Sequence, residues 1–380
     1  MRTWTAAGAM AALLLFTLAA GAQSVGPEQD CVAVRDTDQA RVIKSCTAVI
    51  EGGQGTPKQR AAIYRNRCYA NNHVGESARA ILDCKEALRL DPGLARAHSG
   101  LASAYASRED IERALASYDA ALQIDPNLVT GYIGRGDIYA ATGNFDRALA
   151  DLSKAIALDP GSADVYQFRG QAYEAKGDAG RALADYTTAA RLDPDYFDPP
   201  NSRGLLFAGK GELFQAIDNF DEAIRREPRL AKGYFNRGVT YVYADILSSA
   251  LADFNQALAA GPKDSYAWLW LDIAQARAKQ PSTLAQATTK VDMTAWPAPV
   301  IRMYLGQMSQ ASLLAAADDP SPALKKVQAC EAYFYSGEWA LRRGAKDEAI
   351  RLFRLAASGC PRYYTEWRAA TAELKAAGAE

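Results

Sequence analysis

Histidine is nearly missing from this chain: of 380 residues only His73 and His98 carry an imidazole. A two-histidine zinc site or a Ser–His–Asp arrangement would need one of them well placed. The six cysteines show no Cys-x-x-Cys spacing, which removes the usual zinc-ribbon and thioredoxin-like readings. No Gly-x-Ser-x-Gly, no His-Glu-x-x-His and no dinucleotide glycine fingerprint occurs. The glycine-rich stretch Gly52-Gly53-Gln54-Gly55 lacks the Lys-Ser/Thr of a phosphate cradle and reads as a loop. Excess charge of either sign is also lacking. With 43 basic and 44 acidic side chains the net charge is −1, whereas a nucleic-acid binder would carry a basic face. Nor is there an apolar run long enough to cross a bilayer. These absences argue against an enzyme and predict no catalytic residue, no metal site and no cofactor.

What is present is a strict period. Pro92, Pro126, Pro160, Pro194, Pro228 and Pro262 fall 34 residues apart without a slip. Let units begin at residues 61, 95, 129, 163, 197 and 231. Positions 20 and 27 are then alanine in all six, for example Ala182 and Ala189. Position 8 is Cys68, Ala102, Gly136, Gly170, Gly204 and Gly238. Large residues hold other columns: Tyr105, Tyr139, Tyr173, Phe207 and Tyr241 at position 11, Tyr118, Tyr186, Phe220 and Phe254 at position 24. Small columns facing large ones let two helices approach and interdigitate. Position 15 holds a turn glycine in four units, while Glu109 and Asp245 replace it in two. Each proline opens a new unit, because proline is tolerated at a helix start. Pro199 and Pro200 predict a late start for the first helix of unit 5.

A 34-residue period with these columns resembles the tetratricopeptide repeat, with "RALADYTTAARLDP" (181–194) as a representative stretch. The resemblance covers 61–262. It implies an all-α fold, a right-handed superhelical solenoid followed by an irregular helical C-terminal region, and a protein-binding scaffold rather than a catalyst. First helices would line the inner wall. Positions 2, 5, 9 and 12 point to Arg65, Tyr69, Asn72, Arg96, Ile133, Asp137, Asp164, Gln167, Gln171, Asn201, Leu205, Lys232, Phe235 and Val239 as protein-binding candidates, many of which a solvated face would explain equally. An extended or helical peptide is the expected guest.

One pairing follows from the repeats themselves. Position 7 is arginine in five units and Leu101 in the second; position 23 is Asp83, Asp151, Asp185, Asn219 and Asp253, and Ser117 in that same unit. Both members disappear together, which predicts a guanidinium–carboxylate bond between the two helices of one unit. Independent solvation of each is the alternative.

The flanks are less regular. Residues 1–22 have the look of a secretory signal peptide: Arg2, the apolar stretch Ala9–Ala20, and small residues Ala20-Gly21-Ala22 at a cleavage position. No cysteine follows it directly, so no lipid attachment is expected. Residues 23–60 read as a degenerate leading helix pair, 263–329 as an irregular helical segment, and 330–380 as a returning repeat with a capping helix. Cysteines fall into three close pairs, Cys31 with Cys46, Cys68 with Cys84 and Cys330 with Cys360, which read as disulfides in an exported chain. Cys68 and Cys84 occupy positions 8 and 24, which face each other; a bridge there would contribute roughly 3 kcal/mol. Two buried thiols packing as small apolar groups are the alternative.

The stretches "YAWLWL" (266–271), "MYLGQMS" (303–309) and "EAYFYSGEWALRRGAKDEAIRLFRLA" (331–356) resemble the NlpI-like periplasmic adaptors, whose members bind envelope proteases and peptidoglycan hydrolases. That resemblance implies a periplasmic scaffold or adaptor for other envelope proteins or peptides; the leader without a following cysteine and the lack of a spanning apolar run imply a soluble mature chain with no membrane insertion, and the balanced charge implies no nucleic acid. The other functions it leaves open are a structural assembly factor that self-associates as a homodimer and a non-catalytic regulatory subunit of an envelope hydrolase or protease.

Overall fold

The computed structural model describes residues 31, 38–53, 55–361 and 364–379. The proposed leader, 1–22, lies outside the described residues. The chain is all-α, built from tandem helix pairs, and divides into two compact units, Met1–Leu128 and Val129–Glu380.

The first unit holds α1 (Gln39–Glu51), α2 (Pro57–His73), α3 (Ser77–Leu90), α4 (Ala95–Ala106) and α5 (Ile111–Ile124). The second holds α6 (Val129–Ala141), α7 (Phe145–Leu158), α8 (Ala163–Lys176), α9 (Ala179–Leu192), α10 (Asp198–Lys210), α11 (Leu213–Arg226), α12 (Ala231–Tyr243) and α13 (Leu247–Ala260). It continues with α14 (Ser265–Arg277), a 3-10 turn (Leu284–Thr289), α15 (Ala298–Tyr304), α16 (Gln310–Ala316), α17 (Pro322–Arg342), α18 (Lys346–Gly359) and α19 (Thr365–Ala376).

Each pair forms for reasons visible in its columns. The alanines at positions 20 and 27 are fully buried. A Cβ on Gly204 would stand 2.6 Å from the Phe220 ring, and one on Gly170 2.5 Å from the Tyr186 ring. Only glycine allows the first helix to close onto that ring. α10 begins at Asp198, one residue later than its counterparts α6, α8 and α12, with Pro199 in its first turn, where no intrahelical donor is needed.

The position-7 arginines make the expected bond. Arg67 meets Asp83, Arg135 meets Asp151, Arg169 meets Asp185 and Arg237 meets Asp253, each through a two-pronged fork; Arg169 donates from Nε and Nη2 at 2.8 Å each. Arg203 donates to Asn219 at 2.7 Å and adds Glu222. The aromatic at position 4 lies under the same guanidinium, as with Tyr166 and Arg169 at 5.7 Å. Asp185 is 5% exposed, so its removal strands a half-buried cation. We expect Asp185→Ala to lose about 2–3 kcal/mol, and a double-mutant cycle with Arg169→Ala to return a coupling of about 1–2 kcal/mol in urea denaturation. Additive losses would show that the fork contributes nothing.

Position 4 has a second duty. His98, Tyr234 and Trp268 each reach the carbonyl of the proline six residues earlier, Pro92, Pro228 and Pro262, at 3.1–3.4 Å. This ties the start of one pair to the end of the last. His98 is half-buried at this seam, and His73 is exposed.

Turn glycines Gly75, Gly143, Gly177 and Gly211 all have positive φ. Glu109 (φ 60°) and Asp245 (φ 56°) adopt the same left-handed backbone without the freedom of glycine. Asp245→Gly should therefore raise stability by about 0.5–1 kcal/mol in a thermal or urea melt; a loss would mean the Asp245 side chain holds the turn.

The three cysteine pairs have their sulfurs in bonding contact, with Cα–Cα distances of 4.7 Å (Cys31, Cys46), 5.4 Å (Cys68, Cys84) and 5.0 Å (Cys330, Cys360). Cys330 is not at a helix end as the repeat frame implied. α17 starts earlier, at Pro322, because Pro322 sits at a helix start and no breaker follows before Gly337. The segment after α13 is continuous with the repeats. Trp270 stacks on Phe334 at 5.6 Å and on Phe254 at 6.5 Å, and Phe334 meets Phe353 at 6.0 Å. One buried core thus runs from α13 through α14 to α17 and α18.

Candidate functional site

The candidate binding residues separate into two groups. Several are consumed by the fold. Gln167 is buried and donates to Ser202 Oγ at 2.9 Å; Asn201 is buried and accepts from Asn236 Nδ2 at 2.8 Å. These position-5 side chains face the next first helix, because successive first helices pack closely enough to cover them. Tyr69 donates to the Arg96 carbonyl at 3.0 Å and Asn72 to that of Gly100 at 2.8 Å. Arg65 bonds Asn66 Oδ1 at 2.6 Å, Phe235 packs edge-on against Phe254 at 6.1 Å, and Ile133 packs against the α7–α8 core. Lys232 is exposed and pairs with Asp198 at 3.3 Å. The others offer themselves. Arg96 in the first unit, and Asp137, Asp164 and Gln171 in the second, are exposed. Leu205 and Val239 line a groove.

That groove encloses about 470 Å³ between α10, α12 and α19. α19 is more than the end cap that the sequence suggested. It packs on α18 and α17, yet its Arg368 Cδ lies 3.7 Å from where a Gly209 Cβ would be, and its Lys375 Nζ 3.6 Å from a Gly211 Cβ. Ala369, Ala372 and Ala376 are its contribution to the apolar lining, opposite Leu205, Ala208 and Val239. Among the described residues no acidic side chain lines the groove, whereas Lys210, Arg368 and Lys375 do. Sequence reasoning missed this wall. The signal was there in part: Arg368 and Lys375 are seven residues apart and share one helix face with a row of alanines. Where that face would dock is not encoded locally.

Buried carboxyls anchor α19. Arg277 Nη2 donates to Glu338 at 2.9 Å and to Glu373 of α19 at 2.5 Å. Tyr335 donates to Glu366 of α19 at 3.1 Å. Glu331 accepts from Trp296 Nε1 at 2.6 Å and Tyr266 OH at 2.9 Å. Burial, reinforced by the neighbouring Glu366, pushes the Glu331 carboxyl up to about 7. Burial also raises Glu338 to about 7, since the opposing Arg277 is shared with Glu373. Burial raises Glu366 as well. A cluster of raised carboxyls can mark catalysis. Here each is satisfied by fixed structural partners. Among the described residues no group of three His, Cys, Asp or Glu side chains could hold a metal, and no helix is long and apolar enough to cross a membrane.

Sequence profiles of the tetratricopeptide repeat match residues 73–128, 101–172, 163–196 and 202–265. The chain carries tetratricopeptide repeats. Solved structures agree on the fold. A tetratricopeptide repeat protein from Parabacteroides merdae is 18% identical, covering 65% of this chain and 96% of its own, with a TM-score of 0.51. The Cut9–Hcn1 hetero-tetramer of APC/C is 16% identical over 84% of this chain and 52% of its own, also at 0.51. YrrB, described as a tetratricopeptide protein with an unusual peptide-binding site, is 26% identical over 48% of this chain and 95% of its own, at 0.37. Tetratricopeptide proteins are protein-binding scaffolds or adaptors, typically without catalytic activity of their own.

Proposed function

We propose that the protein is an exported scaffold that binds other proteins of the cell envelope through the first-helix faces of its repeats. The observation that carries this reading is the groove along α10 and α12, apolar at its floor and basic at its rim, in a repeat class whose members bind protein chains. The leader-like residues 1–22 and the three cysteine pairs in bonding contact support export, because disulfides persist in oxidising compartments. The resemblance of 266–356 to NlpI-like adaptors supports a periplasmic setting and partners among envelope hydrolases or proteases.

The test is affinity capture from an envelope extract at physiological salt, with the tagged mature chain as bait. Recovery of one or a few defined proteins, lost on competition with untagged protein, is expected. Recovery of none would count against the reading. Light scattering on a size-exclusion column separates this from self-association: a chain that binds only its own copies elutes as an oligomer and captures nothing else. Thiol titration of denatured, unreduced protein should find no free sulfhydryl.

A further inference from the structure

We infer that the groove between α10, α12 and α19 takes an acidic amphipathic helix of a partner protein, its apolar row in the slot and its carboxylates over Lys210 and Lys375. The inference rests on the scaffold reading and names the chemistry of the partner.

Three features point to that guest. The first is shape. Thr365 and Ala376, at the two ends of α19, both line the groove, so it runs along the helix for about 16 Å. About 470 Å³ over that length makes a slot roughly one side chain wide. A slot of that form accepts a row of leucine-sized side chains from a segment lying along it, rather than a single inserted tip.

The second is backbone chemistry. Between its ends the slot is walled by helices, whose interior backbone N–H and C=O groups are paired within each helix. An extended guest would find no strand edge to bond. A helix satisfies its own backbone and needs only side-chain contact.

The third is charge. Lys210 ends α10 and Lys375 lies in the last turn of α19, and Lys375 Nζ lies beside Gly211, next in sequence to Lys210. Both lysines therefore line the slot at the end where α10 and α19 terminate. Lys210 lies 6.0 Å over the Phe207 ring, and no carboxylate of the described residues pairs with either lysine. Tyr243 on the same wall holds a buried hydroxyl without a hydrogen-bond partner. Carboxylates brought by the guest would pair with these lysines.

The test uses the full mature chain and fluorescent, acetylated and amidated peptides of about eleven residues, the length that spans the slot as a helix. The first carries leucines at helical spacing and glutamates at one end. One twin has lysines in place of the glutamates; another has a central proline. Anisotropy should show the acidic peptide binding at least about tenfold tighter than either twin. Lys210→Glu combined with Lys375→Glu should reverse the charge preference, and Ala372→Trp should close the slot to all three. If the double reversal fails to fold by circular dichroism, Lys210→Gln with Lys375→Gln should still remove the preference. Equal binding of the lysine twin, equal binding of the proline twin, no binding of any peptide, or affinity indifferent to the lysine substitutions would each overturn the inference. Envelope capture that succeeds while the acidic peptide fails to bind sinks this inference alone; the opposite outcome sinks the scaffold reading and leaves the slot assigned.

Discussion

Gly204→Ala should cost about 3 kcal/mol in urea denaturation, a large loss for one added methyl. The added Cβ would lie 2.6 to 2.9 Å from three carbons of the Phe220 ring, closer than packed atoms sit. Phe220 is fully buried in the core. Overpacking of a dense core typically costs 1–3 kcal/mol, and the upper end applies where a rigid ring rather than a flexible tail must give way. The second-site change Phe220→Leu should return more than half of the loss, as Gly136 opposite Leu152 already shows the looser version of the contact at 3.0 Å. Ala102 opposite Tyr118 shows that the column accepts alanine when the ring is seated for it, with the Tyr118 hydroxyl 2.9 Å from Ser103 Oγ. A loss under about 0.5 kcal/mol would mean the helix pair can spread freely, contrary to the close approach described above.

Stability should fall as the solution is taken from pH 5 to pH 8. Glu331 and Glu338 ordinarily ionise near 4.5 and are raised to about 7 in the fold. Between those values the folded chain keeps protons that the unfolded chain has released. Deprotonation then favours unfolding, so the stabilising contribution is full below about 4.5 and is lost as pH rises through about 7. The expected contribution is about 3 kcal/mol from each of the two, since Glu331 sits beside Glu366 and Glu338 beside Glu373. Glu331→Gln keeps an acceptor for Trp296 and Tyr266 while removing the charge, and should flatten the pH dependence and raise stability at pH 8. Exposed carboxylates act in a different window. The Asp110 and Asp178 carboxyls are held below their ordinary values by hydrogen bonds from Arg113 and Arg181, so their contribution disappears only as pH falls below about 4. A urea midpoint that is level between pH 5 and pH 8, in wild type and Glu331→Gln alike, would show that the buried carboxyls stay ionised throughout.

The buried carboxyls also bear on how α19 is held. Two of its side chains, Glu366 and Glu373, end in this cluster, with Tyr335 and Arg277 as their partners. The helix that forms one wall of the groove is thus fixed by polar contacts as well as by Ala369, Ala370 and Leu374, which are buried in the core. Trp367 adds one apolar anchor and donates to the Ala357 carbonyl at 3.1 Å.

How much of this was legible beforehand depends on whether a feature repeats. The position-7 and position-23 pair could be read because six copies of one unit vary independently, and the loss of both members in repeat 2 exposed the bond. The facing of Cys68 and Cys84 followed from the same register. Position 5 was misread as groove-facing: Gln167 and Asn201 look like any exposed polar residue in sequence, and only the packing of the next first helix buries them. For α17 the repeat frame set a start at Cys330, but local helix propensity and Pro322 carried the helix further back.

The amino-acid sequence by itself determined the helix pairs, their 34-residue register and the column of glycines opposite aromatic rings, because those depend on contacts between residues close along the chain. Only the tertiary structure decided where α19 lies and which first-helix side chains stay free. Arg277 is bonded to Glu373 across 96 residues, and no short-range pattern specifies a contact of that separation.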